Sequence, residues 1–324
     1  MRGLRDIFTT AGLVGDQNQD GIADCLSVSF FQQTGIAVEG LIDFCARLGL
    51  ETSELDLPVI REVDTPDAAQ APKDGDWVCT VFIDSAYEGD EAACRIQPDH
   101  KRLEFLGGSE SSISRMMRWM ASSWPAGVIS SSTDHDIQAI KYRAGMIELY
   151  TMADSSPVDQ IVVTPGNEAT YGAKPPVDRP VPLDSLGELW TTAGFYQAGR
   201  IDVTSQTDVF FTGITSCASI TAAARFAARI GLASTGLRFP LTGEQERVAE
   251  LTFAVNIEPN KSNTQAEVVV VADEQEATAR VIRITGGEGA VISALDYLAS
   301  ATPHQTGGTY GKWENSAADR KSVV

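Results

Sequence analysis

The chain has 324 residues, 43% of them hydrophobic and 21% charged, a balance that excludes a disordered chain and suits about two soluble globular domains. Its 44 acidic and 25 basic side chains leave a net charge of −19, which repels phosphate backbones and argues against nucleic acid as a partner. No window approaches the roughly 18 apolar residues of a spanning helix, so no membrane association is expected.

Residues 4–11 read as a short helix or turn that stops at Gly12. Next comes Asp16-Gln-Asn18-Gln-Asp20-Gly21-Ile22-Ala-Asp24, and then a strand over 26–31. Ile36, Leu41, Phe44, Cys45 and Leu48 recur at helical spacing, with Gly49 taken as the stop. Strands are expected over 77–84 and 103–106. The turn Gly107-Gly108 leads into a helix over 112–122, whose Met116, Met117 and Met120 suit a core. Residues 126–182 form a connector: strand-like over 137–152, then a Pro- and Gly-rich run over 165–182 that reads as an extended linker.

The pattern then recurs. Residues 186–193 match the opening turn, and Thr9-Thr10-Ala11-Gly12 reappears as Thr191-Thr192-Ala193-Gly194. A strand over 208–211 precedes an Ala-rich helix over 219–230 that stops at Gly231. Strands follow over 250–257, 267–272 and 279–285. Gly286-Gly287 then opens a helix over 290–300, and a polar tail covers 304–324. Ala46-Arg47-Leu48-Gly49 and Ala228-Arg229-Ile230-Gly231 keep the offset of 182, which drifts to 178 at Pro125 and Pro303. Ordered matches with a slowly drifting offset predict a tandem duplication, 1–125 and 183–303, of a small α/β sandwich module. Each module would hold a mixed sheet with packed helices, the two forming a pseudo-twofold pair.

The chemistry is sparse. The loop 16–24 places hard oxygen donors on alternate residues, the pattern of a Ca2+ site, with Asp16, Asn18, Asp20, the Ile22 carbonyl and Asp24 as ligands. The twelfth position is Ser27 rather than a bidentate Glu, so the loop resembles the shorter calcium loops of dockerin and thrombospondin-type repeats. A structural role is expected. Tyr196–Asp202, the corresponding stretch of the second copy, carries one carboxylate and should not bind. The two Gly-Gly turns that open helices lack a phosphate-binding signature and read as capping turns.

Candidate catalytic groups are Asp134, His135 and Asp136 in the connector, and Cys217 just before a helix, where a thiol pKa should fall. None has a visible nucleophile–base partner. The five cysteines, Cys25, Cys45, Cys79, Cys94 and Cys217, form neither a disulfide framework nor a zinc pattern. With no apolar leader in the first 13 residues, they point to the cytoplasm; an exported protein with its signal removed is the alternative.

The succession of strand, helix ending Ala46-Arg-Leu-Gly-Leu-Glu-Thr52, strands, and the segment 103–125 with its counterpart 281–303 resembles the N-terminal accessory domains of β-hexosaminidases and α-glucuronidases. That resemblance implies a non-catalytic supporting region, since the barrel that carries the carboxylates in those enzymes has no counterpart here. The expected function is a binding or assembly module, an accessory region or subunit of a larger, possibly hydrolytic system with a protein partner. The alternative is a hydrolase or small-ligand-binding protein with its site in the cleft between the repeats.

Overall fold

The computed structural model describes residues 1, 3–19, 22–52, 57–71, 76–125, 136–152, 156–162, 169–172, 209–232, 236–243, 253–257, 266–272, 280–300, 305–306 and 309–310. Strands β1 (Val14–Gly15) and β2 (Cys25–Leu26) pair antiparallel and tie off the ends of the loop 16–24. Strand β3 (Val28–Gln33) alternates its faces: Phe30 enters the main core, and Phe31 joins Val78 and Ala69 in a small cluster on the other side of the sheet. Helix α1 (Gly40–Leu50) has every residue from Gly40 to Gly49 buried. A helix enclosed on all sides belongs at the centre of a fold.

Strands β4 (Ile60–Val63), β5 (Trp77–Ile83), β6 (Ala92–Gln97) and β7 (Arg102–Gly107) follow, and then helix α2 (Glu110–Ser123). β4 and β6 are additions to the expected elements. The methionines of α2 are fully buried, as their spacing predicts. β8 (Ala139–Arg143), β9 (Met146–Tyr150) and β10 (Asp159–Val162) complete an eight-stranded sheet of order β10-β9-β8-β6-β7-β5-β3-β4. The β3–β4, β3–β5 and β5–β7 pairs are parallel and the others antiparallel. The strand-like part of the connector is thus built into the first sheet.

β11 (Ala169–Gly172) lies inside the Pro- and Gly-rich run expected to form no ladder, yet it pairs antiparallel with β13 (Gly236–Phe239). Its four residues contain no proline, so every amide in it can donate. The rest of the run from 173 to 182 lies outside the described residues. Strands β12 (Val209–Thr212), β14 (Phe253–Ile257), β15 (Ala266–Ala272) and β16 (Arg280–Gly286) form a second sheet of order β12-β14-β16-β15. Its pairings run parallel, parallel, antiparallel, the succession found along β3-β5-β7-β6 in the first sheet. Helices α3 (Cys217–Leu232) and α4 (Glu288–Ser300) follow β12 and β16 as α1 and α2 follow β3 and β7.

The protein is therefore mixed α/β with one large mixed sheet, and both sheets share a single core. That core joins Phe44 and Leu48 of α1 to Phe226 and Ile230 of α3. Phe44 stands at its centre, in contact with Phe8 at a centroid distance of 5.1 Å and edge-on to Phe105 at 5.4 Å. Gly49 and Gly231, expected as helix stops, instead lie within α1 and α3. A Cβ at Gly49 would overlap the carbonyl oxygen of Ala228, and one at Gly231 that of Ala46. The glycines let two helix backbones touch, a requirement that resembles a C-terminal stop when only one helix is in view. Among the described residues no helix is long and apolar enough to cross a membrane.

Candidate functional site

The loop 16–24 hangs from the β1–β2 pair, closed by the Asp24 amide donating to Gly15 O at 2.8 Å. The Asp24 carboxylate accepts from the amides of Gln17, at 3.0 and 3.2 Å, and Asn18, at 3.4 Å. The Gln17 amide holds the carboxyl below its usual range, so it is anionic at neutral pH. A carboxylate offers about four lone-pair directions, and the Cys25 thiol and the residue's own amide also bond to Asp24. Gln19 takes a left-handed conformation at φ 60°, which turns the chain sharply within the loop. The Ile22 side chain is exposed, so its contribution to a cation would come from its carbonyl. The donors are carboxylates, an amide oxygen and a backbone carbonyl, all hard oxygens that suit Ca2+. Asp20 and Gly21 lie outside the described residues. Among those described, no three His, Cys, Asp or Glu side chains come together.

Of the connector candidates, Asp134 and His135 lie outside the described residues. Asp136 is exposed just before β8, next to the residue whose carbonyl accepts the Leu4 amide at 2.7 Å. Cys217 is the first residue of α3 and only partly exposed; its Sγ donates to Ile60 O at 3.8 Å. Burial pushes its thiol pKa up, and the charge of Glu62 adds to the rise. The direction is opposite to the fall expected at a helix N-terminus, with desolvation as the leading cause. Cys45, Cys79 and Cys94 are fully buried with pKa values raised by desolvation, as inert core thiols should be.

The Gly-Gly turns that open α2 and α4 are filled by protein groups. Ser109 caps α2 in a reciprocal pair with Ser112, and its hydroxyl also donates to Gly89 O at 2.6 Å. At the start of α4, the Glu288 carboxylate takes the hydroxyl of Ser216, the residue before α3. The turn before α2 thus caps its own helix, whereas the side chain that opens α4 is tied to the start of α3.

Sequence reasoning missed the polar cluster around Asp43, a highly connected one among the described residues. Asp43, in the first turn of α1, is fully buried. It accepts from the Leu241 amide at 2.5 Å and from the Thr242 hydroxyl at 2.6 Å. Arg118 of α2 approaches it at 3.8 Å, donates to Thr242 Oγ1 at 2.8 Å, and pairs with Glu39 at 2.8 Å. Leu241 and Thr242 follow β13 and bridge to β12 through Phe211. The cluster thereby fastens the helices of the first sheet to the edge of the second. Burial raises the Asp43 pKa to about 6, opposed by Arg118, the Thr242 hydroxyl and the Leu241 amide. The one signal in the sequence was an acidic residue within an apolar run of the helix, Gly40-Leu-Ile-Asp-Phe-Cys-Ala.

Comparison of the sequence with protein-family models and with curated proteins gave no match.

Proposed function

We propose that the chain is a duplicated α/β unit serving as a non-catalytic binding or assembly module within a larger, possibly hydrolytic system, with Ca2+ held structurally by the loop 16–24. The observation that carries this reading is the backbone contact of α1 with α3 at Gly49–Ala228 and Gly231–Ala46. An enzyme working between the repeats would need a cleft there, and helices in backbone contact leave none at that crossing.

Two further observations favour the duplication. The strand succession β3-β5-β7-β6 recurs as β12-β14-β16-β15. The helix ion pairs also correspond: Asp43 and Arg225 stand 182 positions apart and Arg118 and Asp296 178 apart, the offsets of the flanking matches, with the charges exchanged.

The purified chain, assayed with and without Ca2+ against chromogenic glycosides, esters and peptides, is expected to turn none over. Turnover abolished by Cys217→Ala or Asp136→Asn would overturn the non-catalytic reading. For the ion, calorimetric titration with Ca2+ should show saturable heat and a raised unfolding midpoint, both absent in Asp20→Ala. A parent chain that gives no heat sinks the calcium assignment.

A further inference from the structure

We propose that Asp43 is a proton-operated latch between the two halves of the chain, holding the Leu241–Thr242 segment more firmly when neutral than when charged. The geometry supplies both states. Charged, Asp43 accepts from the Leu241 amide and the Thr242 hydroxyl and draws on Arg118, which is also committed to Glu39. Neutral, it still accepts from Leu241 on one oxygen, while the other becomes a hydroxyl that donates to Thr242 Oγ1. Arg118 then loses its charge partner in Asp43 and keeps its bond to Thr242 Oγ1 and its pair with Glu39. No atom has to move far, because Thr242 can both donate and accept.

The surroundings determine which state is cheaper. Asp43 has no exposed surface, and a buried charge must be balanced by its neighbours. The charged groups acting on it are Arg118 from α2 and Glu39 from its own helix, with Glu110 acting on Glu39. From the second half, Pro240 to Gly243 carry no titratable side chain. On α3, Arg225 is turned to Asp296 at 2.6 Å. The sheet face toward α1 presents Phe30, Cys79, Val81 and Phe105. Against the cost of burial stand one arginine shared between two carboxylates, the Thr242 hydroxyl and the Leu241 amide. The Asp43 carboxyl, at about 6 against an ordinary 3.8, agrees with this balance.

The sign follows from linkage. A carboxyl whose pKa is raised by folding adds stability that is complete below the unfolded value and is lost as pH rises through the folded one. Acidification therefore tightens the latch between about pH 6 and pH 4. The Asn side chain copies the neutral state, its oxygen accepting from Leu241 and its NH2 donating to Thr242.

The test compares the full-length parent with Asp43→Asn by thermal unfolding from pH 4 to pH 7.5. The large net charge gives both proteins a common trend, so the difference between them is the readout. Asp43→Asn should gain on the parent as pH rises, by about 3 °C or more across the range. After correction for intrinsic rates, the Leu241 amide of the parent should exchange about fivefold faster at pH 7.5 than at pH 5, and that of the variant at equal rates. A gap that stays constant, or one that moves in the parent's favour as pH rises, overturns the proposal. Should Asp43→Asn fail to fold, the carboxyl carbon resonance of Asp43 in the parent decides. A midpoint near pH 6 supports the latch, and one below about 4.5 removes it.

Discussion

The α1–α2 and α3–α4 helix pairs each carry an ion pair at corresponding points, and the two differ in depth. Asp43 in the first has no exposure, and its partner Arg118 only 19%. Arg225 and Asp296 in the second keep 27% and 39% of their side chains in solvent and meet at 2.6 Å. The shorter contact is the weaker determinant of stability. In water a pair gains little over its separate hydrated ions, whereas a buried charge that loses its partner has nowhere to turn. The first pair also reaches across to the second half through Thr242, and the second stays within its own helices.

The crossing of α1 and α3 treats the halves as equals, and the largest effect is expected there. Gly49→Ala places a methyl group against a backbone carbonyl, which no rotamer change can relieve, so the helices must part. Chemical denaturation should show a loss of about 3 kcal/mol or more. Gly231→Ala should cost about the same, because it meets Ala46 as Gly49 meets Ala228. Unequal costs would break the equivalence of the halves. Gly89→Ala, with open space around the new methyl, is the control and should change stability by less than about 0.5 kcal/mol.

The ion pairs come next and should separate sharply. Arg118→Met leaves Asp43 buried beside Glu39 with no cation, at a cost of about 3 kcal/mol at pH 7.5. Arg225→Met should cost less than about 1 kcal/mol, since Asp296 can turn to water. It also removes Arg225 Nε, a buried donor without a partner. Similar losses at both sites would mean that depth does not govern these pairs.

The same contrast explains what could be read from sequence. The four described helices fall close to where periodicity and composition place them, with α2 at 110–123 against an expected 112–122 and α3 at 217–232 against 219–230, while α1 begins only at Gly40 and leaves Ile36 outside. The helix signal is local, because apolar residues repeat within one segment. Partner choice is not local. β6 was missed although β15 was expected, because Ala92-Ala-Cys-Arg-Ile-Gln97 has weak strand formers where Glu267-Val-Val-Val-Val271 is unmistakable. β8 and β9 were seen as strands, but nothing in them names β6 as the neighbour of β8. Gly49 and Asp43 share this limit. Each is explained by an atom about 180 positions or more away, Ala228 O for one and the Leu241 amide for the other. The loop 16–24 is legible as a pattern of oxygen donors, since all its groups lie within nine residues.

The smallest effect sharpens the comparison most directly, because it gives α2 the residue that α4 has 178 positions on. Arg115 on α2 pairs with Asp90 at 3.2 Å, with 48% and 75% of the two side chains exposed. Its counterpart on α4, 178 positions on, is Ser293, whose hydroxyl donates to Gly289 O at 2.9 Å within its own helix. Arg115→Ser therefore gives the first helix pair what the second has. The lost ion pair is exposed and screened, and serine gives up only a few tenths of a kcal/mol of helix propensity against arginine. The net change should be below about 0.5 kcal/mol, and its ion-pair part should vanish in high salt. A larger loss at low salt would show that the outer face of α2 matters to the first half in a way that α4 does not reproduce, and the likeness of the two helices would then end at their buried faces.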